Sequence, residues 1–591
     1  MRPKKNIQVK IKNQDLEFEI PAGSNLAESL QKNGIYLTAW CHFRGQCGRC
    51  AVDILSGPQP SLRPQEILFQ AKGNWPANRR LACLFPVKGD LVISIPASSL
   101  LKDVPVLAKG IAVKTELNPA IKKYHVFLPS PSLKSPTATL DRLKKSLRIK
   151  KLTGINPGIL RALEVYDQEK KGLTVIVYDD EEILAIKPGA EASPLVGLAV
   201  DLGTTTIVME AVDLESGRLI AAETSLNHQV KFGPDVISRI SHASTGEEKL
   251  EELRETIVSD LNRMIDNICN RLRLSPEDIW EAVIAGNSTM NHLFLGVPAG
   301  GLGQAPFYTV FSSISPLPAG PLGLRMNPLG KVLLSPNIRS FIGGDIAAGL
   351  LAANLFESVA TFAFIDLGTN GEIVIRGRDH LIATSTAAGP AFEGMNLSCG
   401  TIASDGAIER ASWLNNELQV KTINNAPPRG VCGSGLIDLL RVFLERGLIN
   451  RSGRIEGGRS QLEIVPDIFF TQEDIRQVQL ACAAVKTGFR FLLDSIGLQP
   501  QDLEALYLAG AFGQELSTTS SQVIGLIPRI DPERVFFLGN TSLAGARLLL
   551  LNRSVRAKLA SFIDKIEFVS LASEPRFQAY FLAALPLEPW P

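Results

Sequence analysis

Four cysteines near the amino terminus constrain this chain most: Cys41, Cys47 and Cys50 in WCHFRGQCGRC and Cys83 in RRLACLF, spaced C-x5-C-x2-C-x32-C. Set in strand-patterned sequence, they supply four thiolates, the number a [2Fe–2S] cluster takes. Three share one loop, where Gly45, Gly48 and Arg49 let the backbone wrap a cluster and turn amides toward its sulfurs, and the fourth comes from a distant strand. The alternative is a structural zinc site. Zinc ribbons show two C-x2-C knuckles, however, and here only Cys47 and Cys50 form one. Disulfides would need an oxidising compartment, which nothing in the sequence suggests. The remaining cysteines, Cys269, Cys399, Cys432 and Cys482, lack ligand spacing and read as small apolar filler.

The residues around these cysteines resemble a ferredoxin of the adrenodoxin and plant-type group. An alternating run IQVKIKNQDLEFEIPAG (7–23), a helical NLAESLQKNG (25–34), the cysteine loop, the strand AVDIL and a closing GDLVISIP follow the order of a β-grasp. The x5 spacing sits closer to the adrenodoxin-like type than to the commonest plant x4 form.

At 591 residues, 45% hydrophobic and 20% charged, the chain is long enough for several domains with cores of their own and is globular in composition. Lysine plus arginine total 61 against 60 acidic residues, so no global attraction to nucleic acid or to a membrane surface is implied. The start MRPKKNIQVK has no apolar segment behind its charges, and no apolar run approaches the roughly 18 residues of a spanning helix. A soluble cytoplasmic protein is expected. Residues 99–120 read as a connector. Residues 121–192 hold a basic helical stretch LDRLKKSLRIKKL, then GILRALEVY and a strand-like LTVIVYD, a small middle domain whose positive charge is expected to form a solvated helix face.

A second signal begins at Val196. VGLAVDLGTTTIVMEAVDLESGRLI places Asp201, Leu202, Gly203, Thr204, Thr205 and Thr206 in a turn between two apolar strands. The pattern recurs 165 residues later in TFAFIDLGTNGEIVIRG, with Asp366, Leu367, Gly368, Thr369, Asn370 and Gly371. One D-G-T turn is weak, because hairpins use these residues for backbone reasons alone; two in matching contexts indicate an internal duplication. In such a turn glycine lets a phosphate approach, hydroxyls and amides donate to it, and a strand-end carboxylate orients hydrated Mg²⁺. IAGNSTMNHLFLG (284–296), IGGDIAAGLLAA (342–353), VCGSGLIDLL (431–440) and LYLAGAFGQ (506–514) complete the set. The last suits an adenosine lying flat against backbone.

These segments resemble the nucleotide-binding core of the acetate kinase, sugar kinase, heat-shock chaperone and actin superfamily, in which two ribonuclease-H-like lobes hinge around ATP. The resemblance implies a first phosphate loop of Asp201, Gly203, Thr204 and Thr205, a second of Asp366, Gly368, Thr369 and Asn370, and an adenosine site of Gly510, Ala511 and Phe512. Asp201 and Asp366 are expected to orient the metal. Asn287, Asp345 and Glu372 are candidates for positioning the attacking water, each of which could instead cap a helix or stabilise a turn.

Together the motifs DLGTT, AGNSTMNHL, DLGTNGE, AAGPAFEG and CGSG, with the ferredoxin ahead of them, resemble the reductive activators of corrinoid proteins along the whole chain. The implied fold is multidomain α/β: a β-grasp [2Fe–2S] ferredoxin (1–98), a linker (99–120), a middle α+β domain (121–192) and a duplicated ribonuclease-H-like ATPase of actin and sugar-kinase type (193–591). The implied activity is ATP-dependent return of cob(II)amide to cob(I)amide. A low-potential electron donor, a corrinoid protein of a methyltransferase system, a homodimeric state and an anaerobic host go with that resemblance. The segment AAGPAFEGMNLSCGTIASDGAIE (387–409), with Ser398 and Cys399, is either a partner-facing segment or a structural loop. Two other classes fit the same motifs: a ferredoxin fused to a metabolite kinase, and a redox sensor with a regulatory nucleotide site.

Overall fold

The period-two run at the start of the chain turns back on itself. In the computed structural model β1 (Asn6–Ile11) and β2 (Leu16–Pro21) form an antiparallel hairpin, with Asp15 at a left-handed φ of 52° between them. The structure describes residues 6–33, 50–71, 75–96, 115–133, 136–149, 151–166, 172–510 and 516–590, with the single positions 35, 37, 45, 48 and 99. Helix α1 (Leu26–Lys32), β3 (Ala51–Ser56), α2 (Pro64–Ala71), β4 (Arg79–Leu81) and β5 (Leu91–Ser94) complete a sheet of order β2-β1-β5-β3-β4. Strands β1 and β5 run parallel while the other neighbours are antiparallel, the mixed pairing of the expected β-grasp. A buried ion pair fixes the corner beside the cysteines: Glu66 accepts from Arg80 Nε and Nη2, each at 3.0 Å, and from the Leu81 N–H at 2.9 Å.

The expected connector falls largely outside the described residues. Beyond it come β6 (Ile121–Val126), α3 (Thr139–Leu147), β7 (Gly154–Ile155), α4 (Pro157–Tyr166), β8 (Leu173–Tyr178) and β9 (Glu182–Pro188), with a four-stranded sheet of order β6-β8-β9-β7. Both helices pack on one face of it through Leu143, Ile159 and Leu163, while Ile121, Ile176 and Leu184 join a core shared with the lobes that follow. The basic helix is shorter than its sequence suggests. Arg148 turns left-handed (φ 57°) and its N–H closes on Lys144 and Lys145, so the helix stops at Leu147.

The two DLGT segments open two copies of one sheet. The first lobe contains β10 (Val196–Leu202), β11 (Thr206–Asp213), β12 (Leu219–Leu226), α5 (Val236–Ala243), α6 (Glu247–Leu272), β13 (Ile279–Gly286) and α7 (Ser288–Leu295). It continues through α8 (Gly300–Gly303), β14 (Leu317–Pro318), α9 (Ala319–Leu322), β15 (Lys331–Leu334) and α10 (Gly344–Ala352). The second begins with β16 (Phe362–Leu367), β17 (Gly371–Arg376) and β18 (Leu381–Thr386), then carries an insertion of β19 (Ala407–Leu414), β20 (Glu417–Thr422), β21 (Gly430–Val431), α11 (Gly433–Glu445), β22 (Gln461–Val465) and β23 (Ile468–Thr471). It ends with α12 (Gln472–Ser495), β24 (Ala505–Ala509), α13 (Thr518–Val523), β25 (Val535–Gly539), α14 (Thr541–Leu551), α15 (Ser554–Ile563), β26 (Glu567–Phe568) and α16 (Phe577–Ala584).

Strand order in the two sheets is β12-β11-β10-β13-β15-β14 and β25-β24-β16-β17-β18-β26. Without the short edge strands β14 and β26, the first sheet reads third, second, first, fourth, fifth and the second gives the same order from its other end, with an antiparallel meander followed by strands parallel to the first. The repeat is therefore one of topology as well as of sequence, as expected for duplicated ribonuclease-H-like lobes. Each lobe has its own core, and a third cluster around α10 and α14 joins them. Those two helices cross so closely that a Cβ on Gly545 would overlap the Ala348 carbonyl. Among the described residues no helix is long and apolar enough to cross a membrane.

Candidate functional site

Cys50 stands at the foot of β3, and Cys83 lies in the single 3-10 turn Ala82–Leu84 that follows β4. Both are buried and their Sγ atoms are 3.3 Å apart. That is well beyond the ~2.05 Å of a disulfide and lets both sulfurs face a single metal atom. The fold that brings them together is local: Asn25, ahead of α1, donates to the Cys83 carbonyl at 2.8 Å. Gly45 and Gly48 have φ of 75° and 72°, and side chains there would run into Leu84 and Phe69. The loop therefore requires glycine at both positions. Cys41 and Cys47 lie outside the described residues. The buried thiol pair, the donor type and the glycine-built loop fit an iron–sulfur cluster.

A second site lies between the lobes, in a cavity of about 360 Å³ lined by both DLGT turns. Strand geometry places it there: Asp201 and Asp366 are the penultimate residues of the first strand of their respective sheets, and each turn is held shut by its glycine N–H. Gly203 donates to the Thr206 carbonyl at 3.1 Å and Gly368 to that of Asn370 at 3.0 Å. A further repeat meets the same cavity, Gly286-Asn287-Ser288-Thr289 at the end of β13 and Gly539-Asn540-Thr541-Ser542 at the end of β25, with Asn287, Asn540, Thr541 and Ser542 lining it. Each asparagine caps the next helix through its Oδ1, which accepts at 2.9 Å from Met290 N–H and from Leu543 N–H respectively. Each also donates its Nδ2 to the first turn, Asn287 to Thr204 Oγ1 at 3.0 Å and Asn540 to Asp201 Oδ2 at 2.7 Å. Ser542 Oγ donates to the other Asp201 oxygen at 2.9 Å. Glu393 bridges the lobes: its Oε1 accepts from Thr369 Oγ1 at 2.7 Å and its Oε2 from Thr205 Oγ1 at 3.1 Å.

Carboxylates crowd this space. Burial pushes Asp366 up to about 8, reinforced by the charges of Asp345, Asp201 and Glu393. Burial raises Asp345 too, with Asp201 adding to the effect, and raises Glu372 well above its ordinary range, with Asp345 and Asp366 adding. Asp201 and Glu393 are raised by burial against the opposing pull of their hydrogen-bond donors. All of them keep some accessible surface because they line the cavity, and no lysine or arginine is among the described residues lining it. Acidic oxygens without basic counter-charge, beside one turn with three threonines and one with Thr369 and Asn370, fit a hydrated divalent cation carried in with phosphates.

Asp201, Gly203, Thr204, Thr205, Asn287, Asp345, Asp366, Gly368, Thr369, Asn370 and Gly510 all line this one cavity. Ala511 and Phe512 lie outside the described residues. Asn287 serves as a helix cap and a tie to Thr204, and Asp345 sits in the first turn of α10 with its Oδ1 accepting the Ile346 N–H at 2.8 Å. Glu372 stands opposite Asp366 in the β16–β17 register and accepts from Ser385 Oγ at 3.3 Å. Gly510 packs against Leu367 and Asp366 of the second turn. In the 387–409 segment, Cys399 is buried, whereas Ser398 is exposed and held through its N–H and Oγ by Asp474 near the start of α12. Sequence reasoning missed Asn540, Ser542 and Glu393. The repeated Gly-Asn tetrapeptide was a readable signal for the first two. Glu393 lies in the AAGPAFEG motif, but nothing in that motif marks its contact with Thr205, which spans 188 residues.

Four family descriptions match in succession: a 2Fe-2S iron-sulfur cluster binding domain (9–88), the RACo linker region (111–193), the RACo middle region (196–358) and the C-terminal domain of RACo, the ASKHA domain (360–589). The corrinoid activation enzyme RamQ of Eubacterium limosum is 32% identical over 591 residues, covering 95% of this chain and 96% of that protein. The Co(II) methylated amine-specific corrinoid protein reductase of Methanosarcina barkeri is 26% identical over 66% of this chain and 76% of its own length. A solved structure described as a reductive activator for corrinoid, iron-sulfur protein superposes with a TM-score of 0.75 at 33% identity, covering 98% of each chain.

Proposed function

Since this chain belongs to the family of reductive activators of corrinoid proteins, we propose that it couples ATP hydrolysis to one-electron reduction of cob(II)amide on a corrinoid protein, regenerating cob(I)amide for methyl transfer. The observation that carries this reading is that two DLGT turns, one from each lobe, face one cavity in the same polypeptide as a buried thiol pair. When held by Cys41, Cys47, Cys50 and Cys83, a [2Fe–2S] cluster supplies one-electron chemistry, near −400 mV for the plant type. A corrinoid Co(II)/Co(I) couple with an axial ligand lies lower, and each ~60 mV of that gap costs about 1.4 kcal/mol for one electron.

The nucleotide residues supply the coupling. Thr204, Thr205 and Thr369, with the amides of both turns, donate to the phosphates. Asp201 and Asp366 orient Mg²⁺, and Gly510, Ala511 and Phe512 take the adenosine. Because the turns belong to different lobes, phosphate oxygens bound between them favour the closed arrangement, and loss of the terminal phosphate releases it. Asn540 and Ser542 keep Asp201 aimed at the cavity from the start of α14, so its carboxylate is placed before nucleotide arrives. A low-potential donor and a corrinoid protein of a methyltransferase system are the partners this reading calls for.

Two variants separate its halves. Cys83→Ala is expected to lose iron and visible absorption while still binding ATP. Asp201→Ala is expected to keep its colour and to lose ATP-dependent reduction of cob(II)amide by at least about 100-fold. ATP-dependent reduction that persists in Asp201→Ala would contradict the assignment of the nucleotide site.

A further inference from the structure

Hydrolysis of ATP calls for a group that orients water and takes its proton, close to the donors that hold the terminal phosphoryl group. Several acidic side chains line the cavity, and their hydrogen bonds separate them. Asp201 is held by Asn540 and Ser542 at the start of α14, and the function proposed above commits it to Mg²⁺. Asp345 accepts from its own helix at 2.8 Å, and Glu372 from Ser385 at 3.3 Å on the neighbouring strand. Asp366 stands next to last in β16 beneath the second turn, in register with Glu372 and against Gly510. Glu393 alone among these is bonded to hydroxyls of both DLGT turns, Thr369 Oγ1 at 2.7 Å and Thr205 Oγ1 at 3.1 Å. Its backbone belongs to the 3-10 turn Pro390–Glu393, anchored in the core of the second lobe by the fully buried Phe392.

We propose that Glu393 is the catalytic carboxylate of the ATPase, orienting the attacking water and accepting its proton, an inference that rests on the function proposed above and deepens it. The two threonine hydroxyls that converge on Glu393 are the ones that reading assigns to phosphate oxygens. They are rotors, so bound phosphate draws them away from the carboxylate and leaves its lone pairs open toward the terminal phosphoryl group. The step balances in atoms and charge. The water oxygen bonds to the γ-phosphorus while the bond from that phosphorus to the β–γ bridging oxygen breaks. One water proton passes to Glu393, ADP leaves with the bridging oxygen and its electron pair, and the phosphate departs. Glu393 then returns its proton to solvent.

The test uses the full-length protein and its E393Q, E393D and D201A variants, with MgATP binding measured by calorimetry and turnover by phosphate release. E393Q keeps an acceptor oxygen but cannot take a proton. It is expected to bind MgATP within about threefold of wild type and to release phosphate roughly 10²–10⁴-fold more slowly. E393D keeps the carboxylate one methylene short and is expected to fall between the two. Wild-type turnover in E393Q overturns the proposal. So does a parallel loss of binding and turnover in both Glu393 variants, the outcome of a purely structural tie. If E393Q does not fold, E393D decides alone: turnover slowed about 10- to 100-fold at unchanged affinity supports the role, and unchanged turnover refutes it. D201A distinguishes this failure from that of the underlying reading. If D201A loses nucleotide binding while E393Q turns over normally, only the role of Glu393 falls; if D201A binds and hydrolyses ATP like wild type, the nucleotide site itself is misplaced.

Discussion

Asp366 is held at about 8 by burial and by three neighbouring carboxylates, against roughly 3.9 in an unfolded chain. A carboxyl whose folded value is raised stabilises the fold below the unfolded value, and that contribution is lost as pH rises through the folded one. The metal-free protein is therefore expected to lose thermal stability between about pH 4 and pH 8. Asp366→Asn, which keeps the shape and removes the charge, is expected to flatten that decline and to stabilise the ligand-free protein at pH 8 by on the order of 2 kcal/mol. The gain is smaller than the whole shift implies, because Asp345 and Glu372 share the same repulsion. Thermal melts at pH 5 and pH 8 check this, and an unaltered pH profile would contradict it. At this scale the sequence was legible where chemistry is local. Cys50, Cys83, Asp201 and Asp366 announce themselves by spacing and turn type. Glu393 sits in the AAGPAFEG motif, but its tie to both turns shows only once the two lobes face each other.

Helices α10 and α14 meet where Gly545 leaves no room for a side chain against Ala348. Gly545→Val is expected to cost about 1–3 kcal/mol or more. It is also expected to weaken ATP binding, because the start of α14 carries the asparagine and serine that hold Asp201. Denaturant unfolding and nucleotide titration read the two effects. At the other end of α14 two arginines at the start of α15, Arg553 at its N-cap and Arg556 in its first turn, have different duties. Arg553 pairs with Asp179 at 2.9 Å and with Asp180 on the small domain, at a half-exposed site. Arg556 Nη2 lies 2.9 Å from Glu281, whose side chain is fully buried. Arg553→Ala is expected to cost about 1 kcal/mol or less, and Arg556→Ala about 3–5 kcal/mol because it strands a buried carboxylate. Equal costs in urea unfolding would contradict this contrast. Element type was readable from periodicity, but ends were not. The basic run at 140–152 looks helical throughout, yet Arg148 breaks it at φ 57°, and the first alternating run conceals a hairpin.

For the molecule as a whole, the order of parts was legible because each carries its own motif: a cysteine loop, a basic α+β segment and two DLGT strands in matching context. What the sequence could not show is how the parts are joined. The small domain's sheet contributes Ile121, Ile176 and Leu184 to the core between the lobes, and Asn118 pairs with the end of α14 through bonds of 2.8 Å to Leu551 O and 2.9 Å from Arg553 N–H. The Asn118 bonds link residues more than four hundred positions apart, and no local pattern encodes either kind of contact. They place the small domain, which follows the ferredoxin in the chain, against the helix that begins at the cavity between the lobes. Whether ATP turnover drives an electron to cobalt is read most directly from the visible spectrum of a cob(II)amide protein mixed anaerobically with this chain and a low-potential reductant. The cob(I)amide band is expected to grow only when MgATP is added, and growth at the same rate without nucleotide would contradict the account.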